Sequence, residues 1–160
     1  MLGRGILVAA LVIAADQFSK ARVLDYFASF PPLMRWVKVT GFFNLVLIGN
    51  TGISFGLFKG HRRLGEVVLV VLAVAIVIGM LWWLRRTRTT LLAVAIGFII
   101  GGALGNVIDR LLRGAVVDFL DFHLGQWHPF VFNLADAAIT LGVGLLILDG
   151  LLGGRRPARQ

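Results

Sequence analysis

The chain has 160 residues, 58% hydrophobic and 15% charged, with 20 Gly and no Cys, and a mean hydropathy of +0.89. Soluble domains carry about 25% charged residues, so this chain is too poor in charge to cover a water-facing surface. Disorder, a collagen-like repeat, a disulfide scaffold and thiol chemistry are excluded as well.

A helix needs about 20 apolar residues to cross a bilayer, and four such runs fit in one domain. The first, 5–23, carries Asp16 and Lys20 in its later part. It resembles a signal peptide in its charge and apolar core, but no A-x-A site precedes Asp16 and the chain holds further spans, so it reads as a retained helix. Pro31-Pro32 separates this helix from the charge-free stretch that starts at Val39. In the 26–60 segment, Val37-Lys38-Val39-Thr40 alternates as a strand does. Residues 39–58 are free of charge, yet they hold Asn44, Gly49, Asn50, Thr51 and Gly52. That is turn chemistry, which a lipid-facing helix tolerates poorly. The segment reads as a small, partly β structure on the outer membrane surface, with Trp36 and several Phe at the interface; a re-entrant segment is the alternative.

The second and third spans, 67–84 and 89–109, flank the basic loop Arg85-Arg86-Thr87-Arg88. On the third, Gly97, Gly101 and Gly105 share a face; small residues at that spacing let another helix approach closely, here read as packing within the chain. A loop, 113–132, leads to the last span, 134–152, which has Asp136 and Asp149 near its ends. Four spans put both termini on one side. The density of Arg in the 85–88 loop and in the tail (Arg155, Arg156, Arg159) places that side in the cytoplasm. The net charge of +8 thus reads as membrane flanks, and no nucleic-acid partner is expected.

Seven of the eight acidic residues lie away from the cytoplasmic ends: Asp16, Asp25, Glu66, Asp109, Asp118, Asp121 and Asp136. Ionisable groups in or beside apolar helices are costly and face partners or water inside the bundle. Asp16 and Lys20 are spaced i,i+4, as are Asp109 and Arg113, so each acid has a local ion-pair reading. Asp118 and Asp136 have no basic residue at i±3 or i±4. Two carboxylates brought together at low dielectric share a proton, and one then acts as base toward a water. The plainer reading of Asp136 is a helix N-terminus: Asn133 as N-cap and Asp136 three residues on, favoured by the helix dipole. Asp121 is similar, with His123 near it in sequence.

Two other patterns carry little. Gly52-Ile53-Ser54-Phe55-Gly56 matches the G-x-S-x-G nucleophile elbow, but no helical pattern succeeds it. His61, His123 and His128 lack metal-ligand spacing, so no metal is expected.

Five segments together resemble the lipoprotein signal peptidases (signal peptidase II) of bacteria. They are Asp16-Gln17-Phe18-Ser19-Lys20, Asn50-Thr51-Gly52-Ile53-Ser54-Phe55-Gly56, Gly105-Asn106-Val107-Ile108-Asp109-Arg110, Val116-Val117-Asp118-Phe119 and Phe132-Asn133-Leu134-Ala135-Asp136. They occur in the family's order; the departure is Ile53-Ser54, where small residues such as Ala are common. The resemblance implies an integral membrane, mainly α protein, a four-transmembrane-helix bundle with a small periplasmic β-cradle. It implies an aspartic endopeptidase that removes signal peptides from prolipoproteins, cutting before a diacylglyceryl-modified Cys. Asp118 and Asp136 then correspond to the catalytic aspartates. Asn50, Gly52, Asn106, Arg110 and Asn133 correspond to residues lining the site, and Asp16, Lys20 and Asp109 to its support. Val116, Val117, Phe119 and Phe55 are expected to form an apolar wall for the lipid, and residues 50–60 a flap. The expected partners are prolipoproteins and membrane lipids, in the bacterial inner membrane, with the site toward the periplasmic face. A monomer suffices, and no cofactor is implied. A small proton-coupled transporter or a non-catalytic membrane subunit are the alternatives; either would also place acids in a bundle.

Overall fold

The computed structural model describes residues 1–31, 33–52 and 62–153. In chain order the elements are α1 (Leu2–Ala28), β1 (Trp36–Lys38), β2 (Phe43–Asn50), α2 (Arg62–Arg86), α3 (Thr90–Arg113), β3 (Val116–Leu124), β4 (Trp127–Phe132) and α4 (Leu134–Gly153). All four helices are long and apolar enough to cross a membrane. The strands form one antiparallel sheet in the order β1-β2-β3-β4. The chain is therefore a mainly helical membrane protein with four membrane helices and a small sheet, as its composition and motifs led one to expect.

Two differences from the sequence expectation stand out. α1 runs on past Val23 to Ala28. The 113–132 segment, expected as a loop, supplies β3 and β4. In β3 the consecutive residues Val116, Val117, Asp118 and Phe119 are all buried. A strand covered on both faces shows no alternation of polar and apolar residues, and such a short run has no periodic signature to read.

α3 lies at the centre and packs against the other three helices. Its glycines allow this. A Cβ at Gly97 would lie 2.5 Å from the carbonyl oxygen of Gly5, and one at Gly101 2.8 Å from that of Ala9. A Cβ at Gly102 would collide with the Ala135 carbonyl, and one at Gly105 would lie 2.7 Å from Asp16 Oδ2. The backbones of α1 and α4 thus sit directly against α3, the close approach that small residues permit in lipid. At the other end of the bundle Leu84, Ala93 and Ile96 are fully buried with Ala9 and Val77.

The sheet is joined to the bundle in two ways. Val117 and Phe119 of β3 pack on Val23 and Phe27 of α1. The chain also passes directly from α3 into β3 through Gly114, at φ +70°, whose N–H donates to the Arg110 carbonyl at 3.0 Å. That left-handed conformation at a helix C-terminus favours glycine. It brings Asp118, four residues on, over the end of the bundle. β2 pairs with β3 across a bulge between Leu45 and Ile48, after which Ile48 lies opposite Asp118 and Asn50 opposite Val116.

Candidate active site

Asp118 (β3) is 2% exposed. It accepts hydrogen bonds from Asn133 Nδ2 at 2.6 Å and from Asn50 Nδ2 at 2.8 Å. Neither amide is free to turn round. Asn50 Oδ1 accepts the N–H of Gly52 at 2.8 Å, a local turn in which Gly52 adopts φ +73°, a conformation that costs glycine little. With its oxygen so engaged, Asn50 presents its NH2 to Asp118.

Asp136 stands in the first turn of α4. Its N–H donates to Asn133 Oδ1 at 3.0 Å, and its Oδ2 accepts the N–H of Asn133 at 3.4 Å. This is the reciprocal cap that the Asn133/Asp136 spacing suggests, and it belongs to the same arrangement as the site. With Oδ1 committed to the cap, Asn133 turns its NH2 toward Asp118. The other Asp136 oxygen accepts from Asn106 Nδ2 at 2.8 Å. Asn106 Oδ1 in turn accepts from Asn133 Nδ2 and from Lys20 Nζ, both at 3.3 Å. Three asparagines, each held by a fixed partner, thus aim N–H groups at two carboxylates.

The two carboxylates interact electrostatically. Burial pushes the Asp118 carboxyl above the ordinary range; the hydrogen bonds from Asn50 and Asn133 oppose this, and the negative charge of Asp136 adds to it. The charge of Asp136 thus adds to burial in favouring the protonated form of Asp118.

Beneath them, Lys20, Asp16 and Asp109 are fully buried. Lys20 Nζ lies 2.8 Å from Asp16 Oδ2 and 2.8 Å from Asp109 Oδ2. Asp109 Oδ1 pairs with Arg113 at 2.6 Å. Both i,i+4 pairs read from the sequence are therefore formed. The cross-helix pair of Lys20 with Asp109 is new, because spacing along one helix reveals only local partners. Gln17 was also missed: its Nε2 bridges Asp16 Oδ2 at 3.1 Å and Asp109 Oδ1 at 3.0 Å. An amide beside Asp16 in a membrane span was the available signal. Arg110 donates to the Asn106 carbonyl at 3.3 Å. Its guanidinium reaches Gly52, where a Cβ would lie 3.5 Å from Nη2, and its Nε is buried without a hydrogen-bond partner among the described residues.

Other expectations fare differently. Val117 and Phe119 do not form a wall at the site, since they point into the core against α1. Apolar surface near Asp136 comes from β4 and α4, where a cavity of about 720 Å³ is lined by Phe130, Val131, Phe132, Asp136, Ala137, Thr140 and Leu141. Asp121 stands apart from the pair: its oxygens accept from Asn44 at 2.8 Å and meet His128 Nδ1 at 2.9 Å. Its histidine partner is thus His128, while His123 stacks on the His128 ring. Ser54, Phe55, His61, most of the 50–60 flap and the tail arginines lie outside the described residues.

With this geometry in hand, the comparisons with known proteins agree among themselves. The model of the family described as Signal peptidase (SPase) II matches residues 8–152. The chain is 45% identical over 154 residues to the lipoprotein signal peptidase of Methylorubrum extorquens (strain PA1), covering 96% of this chain and 86% of that protein. It is 43% identical over 155 residues to the lipoprotein signal peptidase of Rhodopseudomonas palustris (strain TIE-1), covering 93% and 92%. A solved structure described as a bacterial membrane enzyme at 1.9 Å superposes with a TM-score of 0.78 at 30% identity, covering 93% of each chain. The chain belongs to the signal peptidase II family.

Proposed function

We propose that this peptidase is of the aspartic type, with Asp118 and Asp136 as its catalytic pair. As a signal peptidase II it removes signal peptides from prolipoproteins. The observation that carries the aspartic reading is the pair itself. Among the described residues neither acid is ion-paired, each is held by asparagine N–H groups, and they interact at the end of apolar helices beside an apolar cavity.

In the proposed mechanism Asp118, whose burial favours the protonated form, keeps a proton, and Asp136 is ionised. Asp136 takes a proton from a water as the water oxygen attacks the scissile carbonyl. Asp118 donates to the carbonyl oxygen as charge develops there. Collapse of the tetrahedral intermediate passes the proton from Asp136 to the leaving amine, and Asp118 recovers its own. The scheme uses neither a metal nor a cofactor. Asn50, Asn106 and Asn133 hold the carboxylates, and Arg110, with Gly52 close by, faces the peptide backbone. The apolar signal peptide and the acyl chains of the diacylglyceryl-Cys lie along the cavity at Asp136 and an apolar groove between α1, α3 and α4 that shares Ala137 and Leu141 with it. The site faces the outer side of the inner membrane, opposite the Arg85-Arg86-Thr87-Arg88 loop, with both termini in the cytoplasm. A monomer is sufficient, because Asn50, Asn106 and Asn133, which hold the pair, belong to the same chain.

The test uses purified protein in lipid and a diacylglyceryl-modified prolipoprotein. Asp118→Asn and Asp136→Asn each lose signal-peptide release by at least the roughly 100-fold typical of a missing acid or base, while circular dichroism stays unchanged. Near-full activity in either variant sinks the assignment.

A further inference from the structure

We infer that Lys20 is a positioning residue for both aspartates of the pair, acting through Asp16, Asp109 and Asn106; the inference rests on the catalytic assignment of Asp118 and Asp136. Lys20 is fully buried, and its ammonium meets three acceptors: Asp16 Oδ2, Asp109 Oδ2 and Asn106 Oδ1. Each acceptor has a second task. Asp16 Oδ1 accepts the N–H of Ala135 at 2.9 Å, the residue before Asp136. Asp109 Oδ2 accepts the N–H of Val117 at 3.0 Å, the residue before Asp118. An ammonium can only donate, so Asn106 shows it the carbonyl oxygen and must turn its NH2 to Asp136. One cation thereby fixes the backbone ahead of each acid and the amide that holds one of them.

Joining α1 to α3 needs none of this. Gly97 and Gly101 already bring those backbones together, and Gln17 ties Asp16 to Asp109 and to the Gly105 carbonyl. What Lys20 adds is orientation, together with charge balance. With Lys20 and Arg113 present, Asp16 and Asp109 are neutralised as a group. Without Lys20 the two carboxylates share Arg113 alone, repel each other and lose their hold on the two amides. The charged groups that remain are Asp16 on α1 and Asp109, Arg110 and Arg113 on α3, with Glu66 on α2 acting on Arg110. Removal of the ammonium leaves one more uncompensated negative charge near Asp118, which disfavours its ionisation.

Three variants test this in lipid: Lys20→Met, Lys20→Arg and the double Asp16→Asn/Lys20→Met. For Lys20→Met, kcat falls about 100-fold, the usual cost of misplacing reacting groups by an ångström. KM is little changed, and the alkaline limb of the pH profile, which follows Asp118, moves to higher pH. Lys20→Arg keeps the limbs in place and retains more activity. The double variant removes the charge imbalance and keeps an oxygen for the Ala135 N–H, so it is more active than Lys20→Met alone. A folded Lys20→Met with wild-type kcat and pH limbs overturns the inference. So does failure of both neutral variants to fold while Lys20→Arg is fully active, since that is a purely structural role. Asp118→Asn and Asp136→Asn are run alongside. If they stay active, the catalytic assignment has failed; if they are dead while Lys20→Met is unaltered, only the role of Lys20 has.

Discussion

α2 and α3 are consecutive helices of similar length, yet they live in different surroundings. The more apolar of the two, α2, has a span hydropathy of 2.9 and only 11% of that span is buried by the protein; α3 has 2.3 and 61%. In lipid the bilayer already satisfies apolar side chains, so greasiness does not drive a helix inward. α2 accordingly offers Val67, Val71, Leu72, Ile78 and Trp82 to its surroundings. α3 is drawn to the centre by glycines, which let backbones touch, and by Asn106 and Asp109, which need partners. Of the two, the helix with less hydrocarbon on it is the one that carries the buried polar side chains.

Glycine substitutions are the sharpest way to break this contrast. Gly105→Leu on α3 drives a side chain into the Asp16 carboxylate, and Gly102→Leu drives one into the Ala135 carbonyl. Overpacking costs about 1–3 kcal/mol, and disturbing a buried ion pair adds about 3–5 kcal/mol. Both variants should lose activity and melt far earlier in detergent. Gly79 on α2 has nothing within 4 Å of where its Cβ would be; Gly79→Leu should stay within about 0.5 kcal/mol of wild type. Equal damage from Gly79→Leu and Gly105→Leu in a thermal unfolding series would mean that α2 is as enclosed as α3.

A smaller effect probes the polar end to which α3 contributes. The hydrogen bonds that oppose the upward shift of Asp118 stabilise its ionised form. Asn50→Ala removes one of them, so Asp118 holds its proton to still higher pH. On the proposed mechanism the alkaline limb of the kcat profile should therefore move upward. A downward move would mean that Asp118 is not the proton donor.

The smallest effect lies at the far end of the sheet. Burial works to raise the Asp121 carboxyl, but the Asn44 and His128 hydrogen bonds and the nearby His128 and His123 hold it below the ordinary range. A depressed carboxyl contributes stability that is fully present above the unfolded value of about 4. That stability is lost as pH falls through the lower folded value. Asn44→Ala should cost about 1 kcal/mol, visible as faster amide exchange in β2 and β3, with peptidase activity retained.

Much of this site could be read from the chain, for identifiable reasons. Asp16/Lys20 and Asp109/Arg113 are one helical turn apart, so their pairing is a local property. Asp118 and Asp136 were conspicuous because they lacked such a neighbour, and the structure supplies asparagines instead. The contacts that escaped are those made across the fold. Lys20 meets Asp109 only because Gly105 and its neighbours bring α1 and α3 together. Asp121 meets His128 only because β3 and β4 pair. β3 itself is hidden by its burial on both faces, and for the same reason the chain does not show that Val117 and Phe119 face α1: without alternation, the facing of a strand cannot be read.

Gly114 gives the strand no slack. α3 ends, the chain turns through one left-handed residue, and β3 begins at Val116. Asp118 is therefore a rigid extension of one helix, while Asp136 rides on another. Helices tilt to match the thickness of the hydrocarbon they span, and α3 and α4 need not tilt alike. Any difference between them loads the hydrogen bonds that cross this joint, from Asn133 to Asp118 and from Asn106 to Asp136, so the same protein in thin and in thick lipid vesicles will work at different rates.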